Sequence, residues 1–348
     1  MEQLAEEELI QQLCEEAGRQ LVGLFEESTK EKLKKLAKRM IGRRQDPKDP
    51  VFWPAGLLLL GLVESGREEA LSAAESYLEA WIQSGSPLHF VDDALTGYVL
   101  VRLFQLTGKE EWKTAAAKIR DFLLALPVDE RGSIIYNAGR GNAYIFADGA
   151  GQSSLFLASY GAAFSDEKAM SLAKVQVENF LQQGMDATTG LNYHGFDAKS
   201  GVKYGIIGWG RAAAWLFMGL TAVAVHTKDP KILSDCRQFA GNVTRCRRKD
   251  GLFSWQLTAL EGPADTSATG MLWWAMMQGC HAGILDRELL GSAADVASAL
   301  TRQIFGGRVL QSSAECIDFG EYRQQYGTYP WGQGAVLAFL SCRLGETS

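Results

Sequence analysis

Gly-Trp-Gly-Arg-Ala-Ala-Ala-Trp-Leu-Phe-Met-Gly-Leu-Thr-Ala-Val-Ala-Val (208–225) is the stretch on which the architecture turns. After Arg211 it runs from Ala212 to Val225 without a charge. A helix that is apolar all round must be buried on every side. The run is shorter than the roughly 20 residues a membrane span needs, so the place for it is the middle of a protein core. Gly-Leu-Leu-Leu-Leu-Gly (56–61) has the same character.

Working outward, apolar positions at i, i+3, i+4 and i+7 mark helical windows at 6–41, 53–64, 68–84, 92–107, 110–125, 148–160, 166–183, 209–226, 230–247, 267–281, 287–304 and 331–344. Short Gly-, Asp- and Pro-rich segments separate them. Windows beginning at Trp53, Asp92, Asp148, Trp209, Ser267 and Trp331 are rich in Gly and Ala and nearly uncharged. Those between them, such as Glu110 to Ala125 and Glu167 to Gln183, are amphipathic, with Lys and Glu on one face. Six inner helices alternating with six outer ones close into an all-α (α/α)6 barrel, with residues 1–45 supplying the outer helix that covers the last inner one. A helical solenoid would repeat at a fixed period and carry polar caps. Here the inner starts are spaced 39, 56, 61, 58 and 64 residues apart, which favours the ring. No linker or low-complexity segment interrupts the chain, so a single domain over 1–348 is expected.

The 348 residues are 47% hydrophobic and 22% charged, ample for a core. With 35 Lys+Arg against 41 Asp+Glu the net charge is −6, so no global basic field exists to hold nucleic acid. An acidic start, Met-Glu-Gln-Leu-Ala-Glu-Glu-Glu (1–8), is unlike a secretory leader, and the six dispersed cysteines contain no Cys-x-x-Cys, so a reduced, cytoplasmic protein is expected. Four scattered histidines without His-Glu-x-x-His give no support to a metal, and no cofactor motif is present. Oligomeric state is not legible.

Polar and aromatic residues gather where inner helices begin: Trp53, Val-Asp-Asp (91–93), Phe-Ala-Asp (146–148), Tyr-His-Gly-Phe-Asp (193–197), Gly-Trp-Gly-Arg (208–211), Asp-Thr-Ser-Ala-Thr (265–269) and Trp-Gly-Gln-Gly (331–334). In a ring these starts converge on one concave mouth, the usual setting of a small-molecule site. Asp148 and the Asp92–Asp93 pair are equally the residues expected to cap helices. Arg211 opens an uncharged helix, where a buried cation needs a partner: a ligand carboxylate or hydroxyls, or an internal Asp197 or Asp265. Trp209 and Trp215, six apart, fall on different helix faces, so one is placed to stack on a ligand. Trp53 and Trp255 fall at loop edges, while the other tryptophans read as core. Thr266 and Ser267 suit hydroxyl binding or capping.

Several of these strings, in this order, resemble the unsaturated glucuronyl and rhamnogalacturonyl hydrolases of glycoside hydrolase families 88 and 105: Asp-Asp-Ala-Leu-Thr-Gly-Tyr (92–98), Phe-Ala-Asp-Gly (146–149), Tyr-His-Gly-Phe-Asp (193–197), Trp-Gly-Arg-Ala-Ala-Ala-Trp (209–215), Asp-Gly-Leu-Phe (250–253) and Thr-Ser-Ala-Thr (266–269). The resemblance spans about residues 50 to 345. It implies an (α/α)6 barrel that removes a 4,5-unsaturated uronic acid from the non-reducing end of a lyase-generated oligosaccharide, by hydrating a vinyl ether. It further implies Asp148 as general acid/base and Asp92, chosen over Asp93 by its spacing to Gly97, as its assistant. It implies His194 and Arg211 as substrate contacts, and Trp209, Trp215, Trp53, Trp255 and Asp93 are the further candidates at the mouth. Protonating carbon requires an acid still protonated near neutrality, and an apolar setting beside a second carboxylate raises a carboxyl pKa, so Asp148 is expected in that state. The chain departs from the family pattern at Ala212-Ala213-Ala214, at Ser254 before Trp255, and in Gly-Ala-Gly-Gln (149–152), which points to a smaller or differently linked disaccharide. The alternative is an (α/α)6 protein that binds sugar without turnover, or one with another sugar chemistry.

Overall fold

The computed structural model describes residues 2–25, 49–138 and 141–344. Its α-helices are α1 (Glu2–Phe25), α2 (Trp53–Glu64), α3 (Glu68–Gln83), α4 (Ala94–Thr107), α5 (Glu110–Ala125), α6 (Ala147–Phe164), α7 (Glu167–Gln183), α8 (Gly210–Thr227), α9 (Pro230–Thr244), α10 (Thr266–His281), α11 (Ala293–Thr301) and α12 (Pro330–Leu344). Helix α2 packs on α4, α4 on α6, α6 on α8, α8 on α10, α10 on α12, and α12 returns to α2. The ring of even-numbered helices is therefore closed, and the fold is the (α/α)6 barrel.

The two helix classes separate as their composition requires. In α8 every residue from Gly210 to Ala224 is buried, whereas α3 buries only the stripe Ala70, Ala74, Tyr77, Leu78 and Trp81. Such a stripe is one helix face, turned to the ring. Helix α1 packs on both α12 and α2, closing the outer layer. The part of the expected 6–41 helix beyond Phe25 lies outside the described residues.

Inner helices approach backbone to backbone, which is why they are rich in glycine. A Cβ on Gly151 of α6 would fall 2.1 Å from the Trp215 carbonyl oxygen of α8, and one on Gly334 of α12 would fall 2.0 Å from that of Leu57 in α2. No side chain fits at either place.

Boundaries differ from expectation at two helices. The window opening at Asp92 begins two residues later, at Ala94, because Val91–Asp93 forms a 3-10 turn ahead of α4. The 287–304 window is a 3-10 segment (Arg287–Ser292) followed by the short α11, and Ile304–Phe305 leaves as a strand. Gly306 and Gly307, both at positive φ, turn the chain back there, and a helix cannot continue through them.

Short strands decorate one end of the ring. The antiparallel sheet β1 (Tyr144–Phe146), β2 (Gly195–Asp197) and β3 (Lys203–Tyr204) pairs Phe146 with Gly195 and Gly195 with Tyr204. Between α11 and α12 run the hairpin β4 (Ile304–Phe305)/β5 (Arg308–Val309), the pair β6 (Ser312–Ser313)/β9 (Tyr326–Gly327), and inside it the hairpin β7 (Cys316–Ile317)/β8 (Glu321–Tyr322). Among the described residues no helix is long and apolar enough to cross a membrane.

Candidate active site

A cavity of about 180 Å3 lies at the N-terminal ends of the inner helices. It takes Trp53 from α2, Asp92 from the turn before α4, Phe146, Asp148 and Gln152 from the start of α6, and Trp209, Arg211 and Trp215 from the start of α8. That volume is below the roughly 300–1,000 Å3 of a drug-sized site, so it suits one terminal sugar ring rather than a chain. A larger cavity of about 830 Å3 opens at the opposite ends of these helices, around Glu64, Tyr98, Arg102 and Trp274, and of the motif strings it takes only Tyr98, the far end of 92–98.

Backbone pairing sets the first contact. Phe146 pairs with Gly195 across β1 and β2, and the Ala147 amide donates to the His194 carbonyl at 2.9 Å. The two segments are thus stitched together where α6 begins, which leaves His194 Nε2 3.1 Å from Asp148 Oδ2. That oxygen is buried and accepts no directed hydrogen bond from the described residues. The other ring nitrogen, Nδ1, lies 2.8 Å from the Tyr322 hydroxyl. Asp148 is the second residue of α6, and its side chain does not cap the helix.

Asp92 is held from two sides. The Tyr136 hydroxyl donates to Oδ2, and Gln152 Nε2 donates to Oδ1 at 3.0 Å. Burial is the main reason its pKa is pushed up to about 7, with the charges of Asp148 and Asp49 adding and the two donors opposing. Asp92 is thus the carboxyl that burial disposes to keep a proton near neutrality.

An aromatic wall surrounds the pair. The Phe319 ring stacks on Phe146 at 4.1 Å, and His194 packs on Trp209 at 4.6 Å. Trp53 lies against Trp331 at 4.9 Å, and Trp331 stacks on Tyr329 at 4.5 Å. Both Trp209 and Trp215 line the cavity. The expectation that they diverge fails because Trp209 precedes α8 as its extended N-cap and does not follow the helical phase. Burial also pushes the Cys316 thiol up to about 12, with the charge of Asp148 adding, so it is a neutral part of the wall.

Arg211 resolves in favour of the internal partner. Its guanidinium donates to the carbonyls of Ser313 at 2.8 Å and Ala314 at 2.7 Å, and lies 3.7 Å from Asp265 Oδ2. It also sits over the Trp209 ring at 4.8 Å. Asp265 in turn accepts from the Ser313 amide at 3.1 Å and from the Ser267 amide and hydroxyl, which makes Ser267 part of a cap. Thr266 bonds Leu310 and Ser312.

Two expected contacts do not line the cavity. Asp93 is fully buried, and its Oδ2 accepts the amides of His89 at 2.8 Å and Phe90 at 3.2 Å. It fastens the loop, and burial together with the neighbouring Asp49 carboxyl raises its pKa. Trp255 lies one layer out, its ring 6.3 Å from Tyr322, because its backbone bridges to Gly210 and Pro263. Sequence reasoning missed Tyr136, Gln152, Tyr322 and the β7–β8 hairpin. Only Gln152 left a signal: four residues after Asp148, it shares that residue's helix face.

A closed helical ring whose inner-helix starts bring two carboxyls, a histidine and a wall of tryptophans around one sugar-sized hollow defines a carbohydrate-active pocket. The sequence profile of Glycosyl Hydrolase Family 88 matches residues 25–344. The unsaturated rhamnogalacturonyl hydrolase YesR of Bacillus subtilis (strain 168) is 23% identical over 313 residues, covering 83% of this chain and 88% of that protein. Among solved structures, a possible member of GH105 family from Klebsiella pneumoniae subsp. pneumoniae MGH 78578 superposes with a TM-score of 0.77 at 18% identity, over 86% of this chain and 83% of that one. An unsaturated glucuronyl hydrolase specific for heparin gives 0.73 at 17% identity over 88% of each. The chain belongs to Glycosyl Hydrolase Family 88. It is a glycosidase that hydrolyses unsaturated uronic acid from oligosaccharides.

Proposed function

We propose that the chain acts in the cytoplasm on the disaccharide that a lyase leaves from a rhamnogalacturonan, removing its unsaturated galacturonic acid, with Asp148 and Asp92 as the working pair. The observation that carries this reading is their sharing of one small hollow in unlike surroundings. Asp92 has both oxygens engaged and a pKa of about 7, whereas Asp148 Oδ2 is free of directed hydrogen bonds. Two carboxylates within each other's field do not both ionise easily, so the pair retains a proton at neutral pH.

Asp148 is the member that reaches the reactant. It passes the proton that the pair holds to C4 while the double bond's electron pair becomes the new C–H bond, and the ring oxygen stabilises the cation left at C5; Asp92 is the second seat of that proton. Water bonds to C5 and returns a proton to Asp148, so the catalyst is unchanged. The resulting hemiketal opens to a ketone at C5, and the exposed hemiacetal at C1 releases the second sugar. His194, 3.1 Å from Asp148 and fixed by Tyr322, orients the carboxylate. Trp53, Trp209 and Trp215 supply faces for the sugar ring, and Arg211 shapes the wall while bonded to Ser313 and Ala314.

The rhamnogalacturonyl choice is supported by the likeness to YesR and by the acidic rim discussed next. The test is loss of the conjugated double bond's ultraviolet absorbance when the protein is mixed with the unsaturated galacturonyl–rhamnose disaccharide. Unchanged absorbance with this sugar, against loss with glycosaminoglycan disaccharides, would transfer the assignment to the glucuronyl type.

A further inference from the structure

The hairpin β7–β8 contributes Glu315, Cys316 and Asp318 to the cavity lining, from a segment that carries none of the helix-start motifs. Glu315 and Asp318 are exposed, whereas the helix-borne residues of the lining are buried or half-buried. These two carboxylates therefore mark the side on which the hollow opens to solvent, and the second sugar of a bound disaccharide must leave through that opening. Residues 315–323 carry Glu315, Asp318 and Glu321 against Arg323, a net charge of −2, and Arg323 pairs with Glu321 at 2.9 Å. Farther in, Arg211 is committed to Asp265, Ser313 and Ala314. The hairpin is fixed over the site, with Phe319 stacked on Phe146 at 4.1 Å and the Tyr322 hydroxyl bonded to His194 at 2.8 Å.

The geometry points to Glu315 and Asp318 as a charge filter on the reducing-side sugar: they admit an uncharged sugar and repel one that bears a sulfate or a carboxylate. This deepens the reading given above and rests on it. Like-charge repulsion at a solvated rim is weak, so two such carboxylates discriminate by roughly tenfold. Salt weakens the effect because the groups are exposed.

The experiment uses two unsaturated uronyl–N-acetylgalactosamine disaccharides that differ only by a 6-sulfate. Their kcat/KM values are compared at low and at physiological ionic strength, for the wild type and for Glu315→Gln/Asp318→Asn. The expected result is a preference for the unsulfated sugar of about tenfold at low salt, shrinking with added salt and falling to within twofold in the variant. Equal rates in the wild type, or a preference that the variant retains, would overturn the proposal. If neither sugar is turned over, quenching of tryptophan fluorescence by the two gives the same ratio as an affinity, and equal or absent binding also overturns it. Turnover of the rhamnose disaccharide tests the proposed function separately. A strong wild-type preference alongside failure on rhamnose would retain the filter and reject that substrate.

Discussion

Gln152 Nε2 donates a 3.0 Å hydrogen bond to Asp92 Oδ1, linking the helix that carries Asp148 to the turn that carries Asp92. Gln152 is thereby a positioning residue: it holds the neighbour of the reacting carboxyl and opposes the rise in that neighbour's pKa. Gln152→Leu removes the opposing donor, so the Asp92 pKa should climb above about 7. If the pair must keep its proton, the alkaline limb of kcat/KM moves to higher pH, while loss of orientation lowers kcat about tenfold. A purely structural role would lower the rate without moving the limb, and the pH profile separates the two.

Asp148→Asn is expected to lose on the order of 10²–10⁴-fold in kcat, because a positioned acid/base supplies that much. Substrate affinity should change little. Asp92→Asn keeps an oxygen to accept from Gln152 and turns an amide towards the Tyr136 hydroxyl, which must then accept, but it loses the titrating proton, so the fall in rate near pH 7 should disappear together with most of the activity. Rates of purified variants across pH 5–9 check both outcomes, and an Asp148→Asn protein with wild-type turnover would remove Asp148 from the reaction.

The ring and the helix-start half of this site are legible in the sequence, because both follow from local pattern. The uncharged run that starts at Ala212 is buried through Ala224, as its composition requires, and Asp148, Trp209 and Arg211 sit where such runs begin. The other half depends on pairings between distant segments. Tyr136 reaches Asp92 through a loop whose amide bonds Tyr144, and Phe319 is carried over Phe146 by a hairpin enclosed by the Ser313–Tyr326 pairing. No periodicity announces either. Arg211 was half legible: its need for a counter-charge is visible in the sequence, but the choice of Asp265 over a ligand requires the position of Ser313.

Asp93 separates loop stability from catalysis. Its folded pKa lies above the unfolded value, so folding takes up a proton at this site. The stability it contributes is complete below the ordinary carboxylate range and declines as pH rises toward the raised value, by up to about 1.4 kcal/mol per pH unit for one proton. Asn can still accept the His89 and Phe90 amides and carries no proton to lose. Asp93→Asn should therefore flatten the fall of melting temperature between pH 5 and 8 and raise it at pH 8. An unchanged slope would place the buried proton elsewhere.

Arg211→Ala leaves Asp265, which is fully buried, facing Ser313 without its cation. Breaking a buried pair from one side typically costs about 3–5 kcal/mol, so the effect should appear first as lost stability in urea unfolding. A variant that unfolds like the wild type but shows a raised KM would restore Arg211 to the substrate.

Gly151 and Gly18 make a paired test of the ring's construction. A Cβ at Gly151 meets the Trp215 carbonyl oxygen at 2.1 Å, so Gly151→Ala must push α6 away from α8. Overpacking of this kind costs about 1–3 kcal/mol. Because Trp215 lines the cavity and Asp148 lies one turn before Gly151, the same shift should lower turnover. Gly18, inside the outer helix α1, would bring a Cβ no closer than 4.0 Å to the Ala73 Cβ, so Ala fits there. Alanine is the better helix former by up to about 1 kcal/mol, and Gly18→Ala should stabilise the protein without altering its rate. Opposite signs in thermal unfolding, with activity lost in only one of the two, are what a ring of backbone-close inner helices inside an ordinary outer layer demands.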